Sequence, residues 1–105
     1  MNEADITARI DRKERALRAV AEANETVIVA KSDHEFIKNH YTLEGLEGSN
    51  EKQRQADLIR KTASEREALA DAEKGLRDAQ LELDISTLRV EEATMLLKVV
   101  ESTSQ

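Results

Sequence analysis

Residues 69–100 read LADAEKGLRDAQLELDISTLRVEEATMLLKVV, and this stretch decides the fold class. Apolar and small side chains recur in it at alternating spacings of three and four residues. Such a heptad seam is typical of a helix that packs along a neighbouring helix, and the small residues in it allow close approach. The seam consists of Leu69, Ala72, Leu76, Ala79, Leu83, Ser86, Val90, Ala93, Leu97 and Val100.

A second apolar stripe begins at Leu81 on another side of the same predicted helix. Its members are Leu81, Ile85, Leu88, Met95 or Leu96, and Val99. One partner helix cannot cover both stripes, so we expect self-association, with two hairpins forming a four-helix bundle as a homodimer or a homotetramer. The predicted oligomer seam comprises Leu81, Leu83, Ile85, Leu88, Val90, Met95, Leu96, Leu97, Val99 and Val100.

Length and composition also favour an all-α fold. The chain has 105 residues, of which 36% are charged, it lacks proline and cysteine, and its only aromatic residues are Phe36 and Tyr41. This composition is typical of long helices and coiled coils. We therefore predict a single domain over residues 1–105, an antiparallel two-helix hairpin of the coiled-coil type that assembles into an oligomeric helical bundle.

The first helix is predicted to run from about residue 3 to about residue 43. Asn2 can cap it, and Asp5 lies close to the free amide hydrogens of its first turn. Apolar residues then follow, mostly three or four apart, which predicts one stripe along the helix. The stripe consists of Ile6, Ile10, Leu17, Val20, Ala23, Val27, Ala30, Ile37 and Tyr41.

The stretch LEGLEGSNEKQR at residues 43–54 separates the two predicted helices. Gly45 can adopt the left-handed conformation after a helix end, and Gly48 adds a second permissive position. Asn50 can cap the next helix, with Gln53 at its third position as a variant of the capping box. The remaining predicted elements are a turn over about 44–49, a second helix over about 50–101 and a polar tail over 102–105.

The residues after the turn, Gly48-x-Asn50-Glu51-x-x-Arg54-x-Ala56, resemble a short motif of small helical proteins of tailed bacteriophages. The resemblance implies a phage or prophage origin and a place among replication, recombination or host-takeover genes, but no catalytic residue. The residues by themselves favour a structural role, in which Asn50 caps the helix and Arg54 pairs with Glu51, Glu47 or a neighbouring subunit. The alternative is an interaction site formed by Gly45, Gly48, Asn50, Glu51 and Arg54.

Catalytic, metal-binding and cofactor-binding residues are not expected. His34 and His40 are six residues apart and point to different helix faces, whereas zinc on one helix favours spacings of three or four. The acidic pairs Glu91 with Glu92 and Asp71 with Glu73 are adjacent or next-adjacent, so each pair splits across two faces, and no glycine-rich phosphate loop is present. A likeness to secreted helical hairpins with a Trp-x-Gly turn fails because the chain has no tryptophan.

The charge of the chain disfavours nucleic acid as a partner. The formal net charge is −6 at pH 7, although residues 9–18 are locally basic. A hairpin folded at about Glu47 places Arg12 near Glu82 and Arg9 near Asp84, which favours ion pairs for this basic segment. The same register places Ile6 near residues 86–88 and leaves residues 93–100 beyond the first helix.

These observations predict a non-enzymatic oligomeric coiled-coil interaction or scaffold protein, as a phage or prophage accessory protein. The partners are expected to be a second copy of the chain and a host or phage protein. An acidic inhibitor of a host enzyme and an accessory factor in phage DNA replication or recombination are the alternatives. The chain has neither a membrane-spanning apolar run nor a signal-peptide pattern, so we expect no membrane association and a location in the cytoplasm, the host cytoplasm if phage-encoded.

Overall fold

A computed structural model describes residues 1–103 of the chain, and these residues are almost entirely helical. They form three helices and no strand, namely α1 (Glu3–Glu44), α2 (Glu51–Lys61) and α3 (Ala63–Thr103). The predicted all-α class is therefore confirmed. The predicted polar tail is corrected at residues 102 and 103, which are helical, and its last two residues, 104 and 105, lie outside the described residues.

Helix α1 begins where the capping signal predicts. Asn2 Oδ1 accepts a hydrogen bond of 2.9 Å from the backbone N–H of Asp5, and Asp5 Oδ2 accepts one of 3.2 Å from the backbone N–H of Asn2. Two amide hydrogens of the first turn are thereby satisfied reciprocally. The helix then continues to Glu44, where Gly45 follows with φ +94°.

The predicted second helix is interrupted at Thr62, and this is a correction. Thr62 has φ −105° and ψ 12°, and it separates α2 from α3. Its backbone N–H and its Oγ1 both donate to the carbonyl oxygen of Leu58, at 3.0 Å and 2.8 Å. A threonine hydroxyl that bonds the carbonyl four residues earlier often bends a helix slightly, although Thr94 makes the same bond to Val90 inside α3 without a break. Sequence periodicity does not reveal this, because Thr62 is neither glycine nor proline.

The chain divides into two compact units. The first unit joins Met1–Glu22 with the described residues from Leu76 onward, and the second unit is Ala23–Gly75. In the first unit, Arg12 forms an ion pair with Glu82 at 2.7 Å, and Arg9 Nη1 donates to the carbonyl oxygen of Arg89 at 2.8 Å. Because the partner number rises as the α1 number falls, α1 and α3 are antiparallel in this unit.

The stripe of α1 that is buried or half-buried differs from the predicted apolar stripe. Ile10 and Leu17 are exposed, whereas Arg9, Lys13 and Ala16 are at least half-buried. Arginine and lysine cover apolar surface with their aliphatic stems, so a charged residue can occupy a packing position. The observed stripe keeps alternating spacings of three and four residues, at Ile6, Arg9, Lys13, Ala16, Val20, Ala23, Val27, Ala30, His34, Ile37 and Tyr41.

The register of the first unit also differs from the prediction. Ile6 and Ile10 lie with Val90, Ala93 and Leu97 around one small cavity, so Ile6 does not lie beside residues 86–88. Arg9 pairs with Glu92 at 3.5 Å and not with Asp84, although the predicted pair of Arg12 with Glu82 is confirmed. A long arginine side chain spans more than one helical turn, so ion pairs tolerate several registers. Helix α1 therefore covers Ala93, which is buried. The prediction that residues 93–100 extend beyond the first helix is wrong for Ala93.

Candidate protein-interaction site

The face of α3 that is turned away from α1 in the first unit is unusually apolar. Leu81, Leu88, Met95 and Val99 are 59%, 64%, 67% and 59% exposed. Together with Ile85 and Glu92 they follow spacings of four and three residues. We call this set, which consists of Leu81, Ile85, Leu88, Glu92, Met95 and Val99, the outer seam.

The geometry of a helix explains why α1 leaves the outer seam uncovered. Successive residues of an α-helix are about 100° apart, so the outer seam lies about 160° around α3 from the seam that contains Ser86 and Ala93. Ser86 and Ala93 are 1% and 3% exposed, which identifies their seam as the packed one. A single neighbouring helix covers only one of two nearly opposite faces.

The structure separates the predicted oligomer seam into two groups. Leu83 and Val90 are half-buried and belong to the packed seam, and Leu97 lines the cavity beside Ile6 and Ile10. The remaining predicted members are part of the outer seam or exposed beside it. This second group consists of Leu81, Ile85, Leu88, Met95, Leu96, Val99 and Val100.

Glu92 is the single charged member of the outer seam. Its Oε1 lies 3.5 Å from Nη1 of Arg9, and the same arginine nitrogen donates to the carbonyl oxygen of Arg89. The guanidinium therefore links α1 to α3 and partly balances the charge of Glu92. The sequence prediction paired Arg9 with Asp84, and it therefore missed that the apolar stripe continues through Glu92, whose charge Arg9 partly balances.

The turn between α1 and α2 has the predicted glycine geometry and the predicted cap. Gly45 and Gly48 have φ values of +94° and +136°, where residues with a side chain are strained. Asn50 Oδ1 accepts from the backbone N–H of Gln53 at 2.9 Å. Gln53 Oε1 reaches back to the N–H and the hydroxyl of Ser49, both at 2.8 Å, so the capping box is displaced by one residue.

Asp57 organises the turn, and sequence reasoning missed it. Its carboxylate is buried, accepts a hydrogen bond of 2.9 Å from the backbone N–H of Glu47, pairs with Lys61 at 3.0 Å and pairs with Arg60. The Glu47 hydrogen bond, followed by the Lys61 hydrogen bond and the nearby cationic charges, holds the pKa of Asp57 below its ordinary value. The sequence signal for this cluster was the spacing of Asp57 from Arg60 and Lys61, three and four residues later, which favours ion pairs on one helix face.

The candidate residues at the turn fall into two roles. Glu51 and Arg54 pair at 3.5 Å and line an open groove of about 450 Å³ together with Lys38 and Gly45. Gly48 and Asn50 do not line this groove and serve the backbone of the turn and the cap. The pairing of Arg54 with Glu51 is one of the alternatives that the sequence predicts.

An exposed apolar stripe in the second unit has no counterpart in the sequence prediction. Val29, Phe36 and Leu43 are all exposed and are spaced seven residues apart on α1. His34 is half-buried in the packed stripe of α1, and His40 is exposed and lies 3.3 Å from Glu44. Among residues 1–103 no group of three or more histidine and acidic side chains is arranged to hold a metal ion.

Comparisons of the chain with known protein families, with curated proteins and with solved structures give no match. Within the described part of the chain, no helix has the length and apolar character needed to cross a membrane.

Proposed function

We propose that the protein is a non-enzymatic, oligomeric coiled-coil interaction or scaffold protein, a helical hairpin that self-associates through the outer seam of α3. The observation that supports this proposal is the outer seam itself, with four large apolar side chains more than half exposed in one row. Exposed apolar surface of this kind marks association sites in proteins that are otherwise highly charged.

The small core of a single chain supports the same proposal. The fully buried apolar residues of the described chain are Ala16, Val27, Ala72 and Ala93, of which three are alanines. A small chain with so little fully buried apolar surface commonly gains stability by association. Two chains that pair through their outer seams cover the apolar side chains that one chain leaves in water.

The expected energy indicates association of modest affinity. Full burial of a large apolar side chain stabilises by about 1.5–3 kcal/mol, and about half of this remains to be gained where the side chain is already partly covered. Four such residues on each of two chains then contribute roughly 6–12 kcal/mol, against an association cost of about 4–15 kcal/mol. The two terms are comparable, so concentration determines the oligomeric state.

Light scattering coupled to size exclusion, over a series of protein concentrations, tests the proposal. The full chain is expected to be a dimer or tetramer, and the double variant Leu88→Glu/Met95→Glu a helical monomer. Ile59→Glu is the matched control, because Ile59 is an exposed apolar residue outside the outer seam and outside the stripe of Val29, Phe36 and Leu43. A full chain that stays monomeric at high micromolar concentration, with its helical circular dichroism intact, contradicts the proposal.

The biological setting that we propose is that of a phage or prophage accessory protein in the host cytoplasm. It rests on the resemblance of Gly48, Asn50, Glu51 and Arg54 to the bacteriophage motif. The genomic neighbours of the coding sequence test it. Phage replication or host-takeover genes on both sides support the proposal, and housekeeping genes on both sides contradict it.

A further inference from the structure

The outer seam has the residue pattern of a two-stranded coiled coil. In heptad notation, Ile85, Glu92 and Val99 occupy position a, and Leu81, Leu88 and Met95 occupy position d. Two of the three a residues are β-branched, and two of the three d residues are leucine. This combination favours parallel two-stranded coiled coils over trimers and tetramers.

The flanking charges distinguish a parallel from an antiparallel pairing. In a parallel pair, a residue at position g faces the residue five positions later, at position e, of the other helix. Arg77 then faces Glu82 of the second copy, and Asp84 faces Arg89 of the second copy, so both contacts join opposite charges. The two later contacts place Glu91 beside Leu96 and Lys98 beside Thr103 of the second copy, so neither contact joins two like charges.

The antiparallel arrangement is less favourable by the same criterion. The outer seam runs from Leu81 to Val99, so its midpoint along α3 is at the level of Val90. In an antiparallel pair, residues near this midpoint face the same residues of the second copy. Arg89 then faces Arg89 on one edge, and Glu91 faces Glu91 on the other edge. Asp84 with Lys98 is the favourable pair of that arrangement. The parallel pair has one like-charge contact of its own, between the two Glu92 side chains in an a layer, and each of these is paired with Arg9 of its own chain. It gains four opposite-charge contacts, whereas the antiparallel pair gains two and has two like-charge contacts, so the charges favour the parallel pair.

The charged groups that a parallel pair needs are accessible in the single chain. Among residues 1–103, neither Arg77 nor Arg89 forms a side-chain ion pair. Asp84 accepts a hydrogen bond from Gln80, and Glu82 keeps about half of its side-chain surface exposed beside Arg12. The pairing of Glu92 with Arg9 reduces the charge repulsion where two Glu92 side chains meet in one a layer.

We infer that α3 pairs with α3 of a second copy in parallel, as a two-stranded coiled coil along the outer seam. The inference rests on the proposed function and names its partner and orientation. Each α3 then lies between α1 of its own chain and α3 of the other chain, which accounts for the two nearly opposite apolar seams on one helix.

Disulfide trapping tests the orientation, because the natural chain has no cysteine. In a parallel pair, Leu81→Cys lies beside its own copy, whereas in an antiparallel pair the two thiols are about 27 Å apart at 1.5 Å per residue. We expect rapid disulfide formation by Leu81→Cys and by Val99→Cys separately. Ile59→Cys is the control for random collision, since Ile59 is exposed and lies outside both apolar stripes.

The decisive measurement is an equimolar mixture of Leu81→Cys and Val99→Cys, equilibrated under reducing conditions, oxidised and analysed by mass spectrometry. Disulfides within each variant are expected to dominate. A dominant disulfide between the two variants overturns the parallel orientation and leaves the proposed self-association intact. A full chain that light scattering shows to be monomeric overturns both, so the two failures are distinguishable.

A charge exchange gives a second, independent readout. Arg89→Glu is expected to weaken dimerisation roughly two- to tenfold, because it places a new carboxylate against Asp84 twice in the dimer. Adding Asp84→Arg restores the opposite charges in a parallel pair, so the double variant should recover the dimer affinity of the natural chain. In an antiparallel pair the added arginine faces Lys98 and the affinity falls further, which contradicts the inference.

Discussion

The backbone N–H of Glu47 donates a hydrogen bond of 2.9 Å to the carboxylate of Asp57. This contact joins the turn to the second helical turn of α2, and Arg60 and Lys61 converge on the same carboxylate. Gly45 and Gly48 permit the path of the backbone, but they do not select it. We infer that Asp57 selects it, because a buried carboxylate must keep all of its hydrogen-bond and charge partners.

Replacing this carboxylate by an amide tests its role in the turn. Asp57→Asn removes the negative charge that Arg60 and Lys61 share, so we expect a lower melting temperature in circular dichroism. Asp71→Asn is the matched control, because Asp71 is exposed on α3. Equal melting temperatures for the two variants would show that the charge of Asp57 does not stabilise the turn.

The lowered pKa of Asp57 predicts how stability depends on pH. A carboxyl group whose pKa is lower in the folded than in the unfolded state stabilises the fold at pH values above its unfolded pKa, which is about 3.9 for aspartate. This contribution is lost as the pH falls below about 4 through the lowered folded pKa. Denaturant unfolding at pH 7 and at pH 3 should therefore show a smaller loss of stability for Asp57→Asn than for the natural chain. An identical loss in both proteins would contradict the linkage.

The three glycines provide a graded test of backbone strain. Gly45→Ala is expected to destabilise by about 1–2 kcal/mol, because its φ of +94° is unfavourable for a residue with a Cβ. Gly48→Ala should cost more, since its new Cβ would also lie 2.6 Å from the Cβ of Gln53. Gly75→Ala meets nothing within 4 Å inside α3 and should stabilise by about 0.5–1 kcal/mol. Chemical denaturation measures all three, and any other order contradicts the assigned turn.

The fold class and the helix ends near the turn follow from local signals in the sequence. The side-chain oxygens of Asn2 and Asn50 each accept from the free backbone N–H three residues later, and Gly45 follows the end of α1. These helix ends depend on neighbouring residues only, so the sequence is enough to predict them. The break at Thr62 could not be placed, because a threonine whose hydroxyl bonds the carbonyl four residues earlier also occurs inside an unbroken helix, at Thr94. Helical periodicity continues unchanged through Thr62.

The candidate surfaces were predicted less completely than the helices. The apolar stripe beginning at Leu81 was visible, but its continuation through Glu92 depends on the position of Arg9, which belongs to a distant part of the sequence. The role of Asp57 likewise depends on the backbone N–H of Glu47, which donates to its carboxylate. Contacts of this kind follow from the register between two helices, and ion pairs such as Arg12 with Glu82 permit several registers.

Substitutions at the N-terminal end of α2 are expected to lower stability without changing the oligomeric state. Asn50→Ala removes the acceptor for the amide of Gln53 and should cost about 1 kcal/mol. Arg54→Ala removes an exposed ion pair with Glu51 and should change the free energy of unfolding by less than about 1 kcal/mol. Light scattering should give the same oligomeric state for both variants and the natural chain. Loss of the oligomer in either folded variant would show that the turn takes part in assembly.

Ser86 predicts a stabilising substitution in the packed seam of α3. It is 1% exposed, and among residues 1–103 its Oγ has no hydrogen-bond partner. A buried hydroxyl without a partner costs about 1–3 kcal/mol, so Ser86→Ala should raise the free energy of unfolding by about 1 kcal/mol. Ser32→Ala, at an exposed position of α1, is the control for the higher helix propensity of alanine. A destabilised Ser86→Ala beside an unchanged or stabilised Ser32→Ala would show that the hydroxyl is satisfied in solution, for example by a bound water molecule.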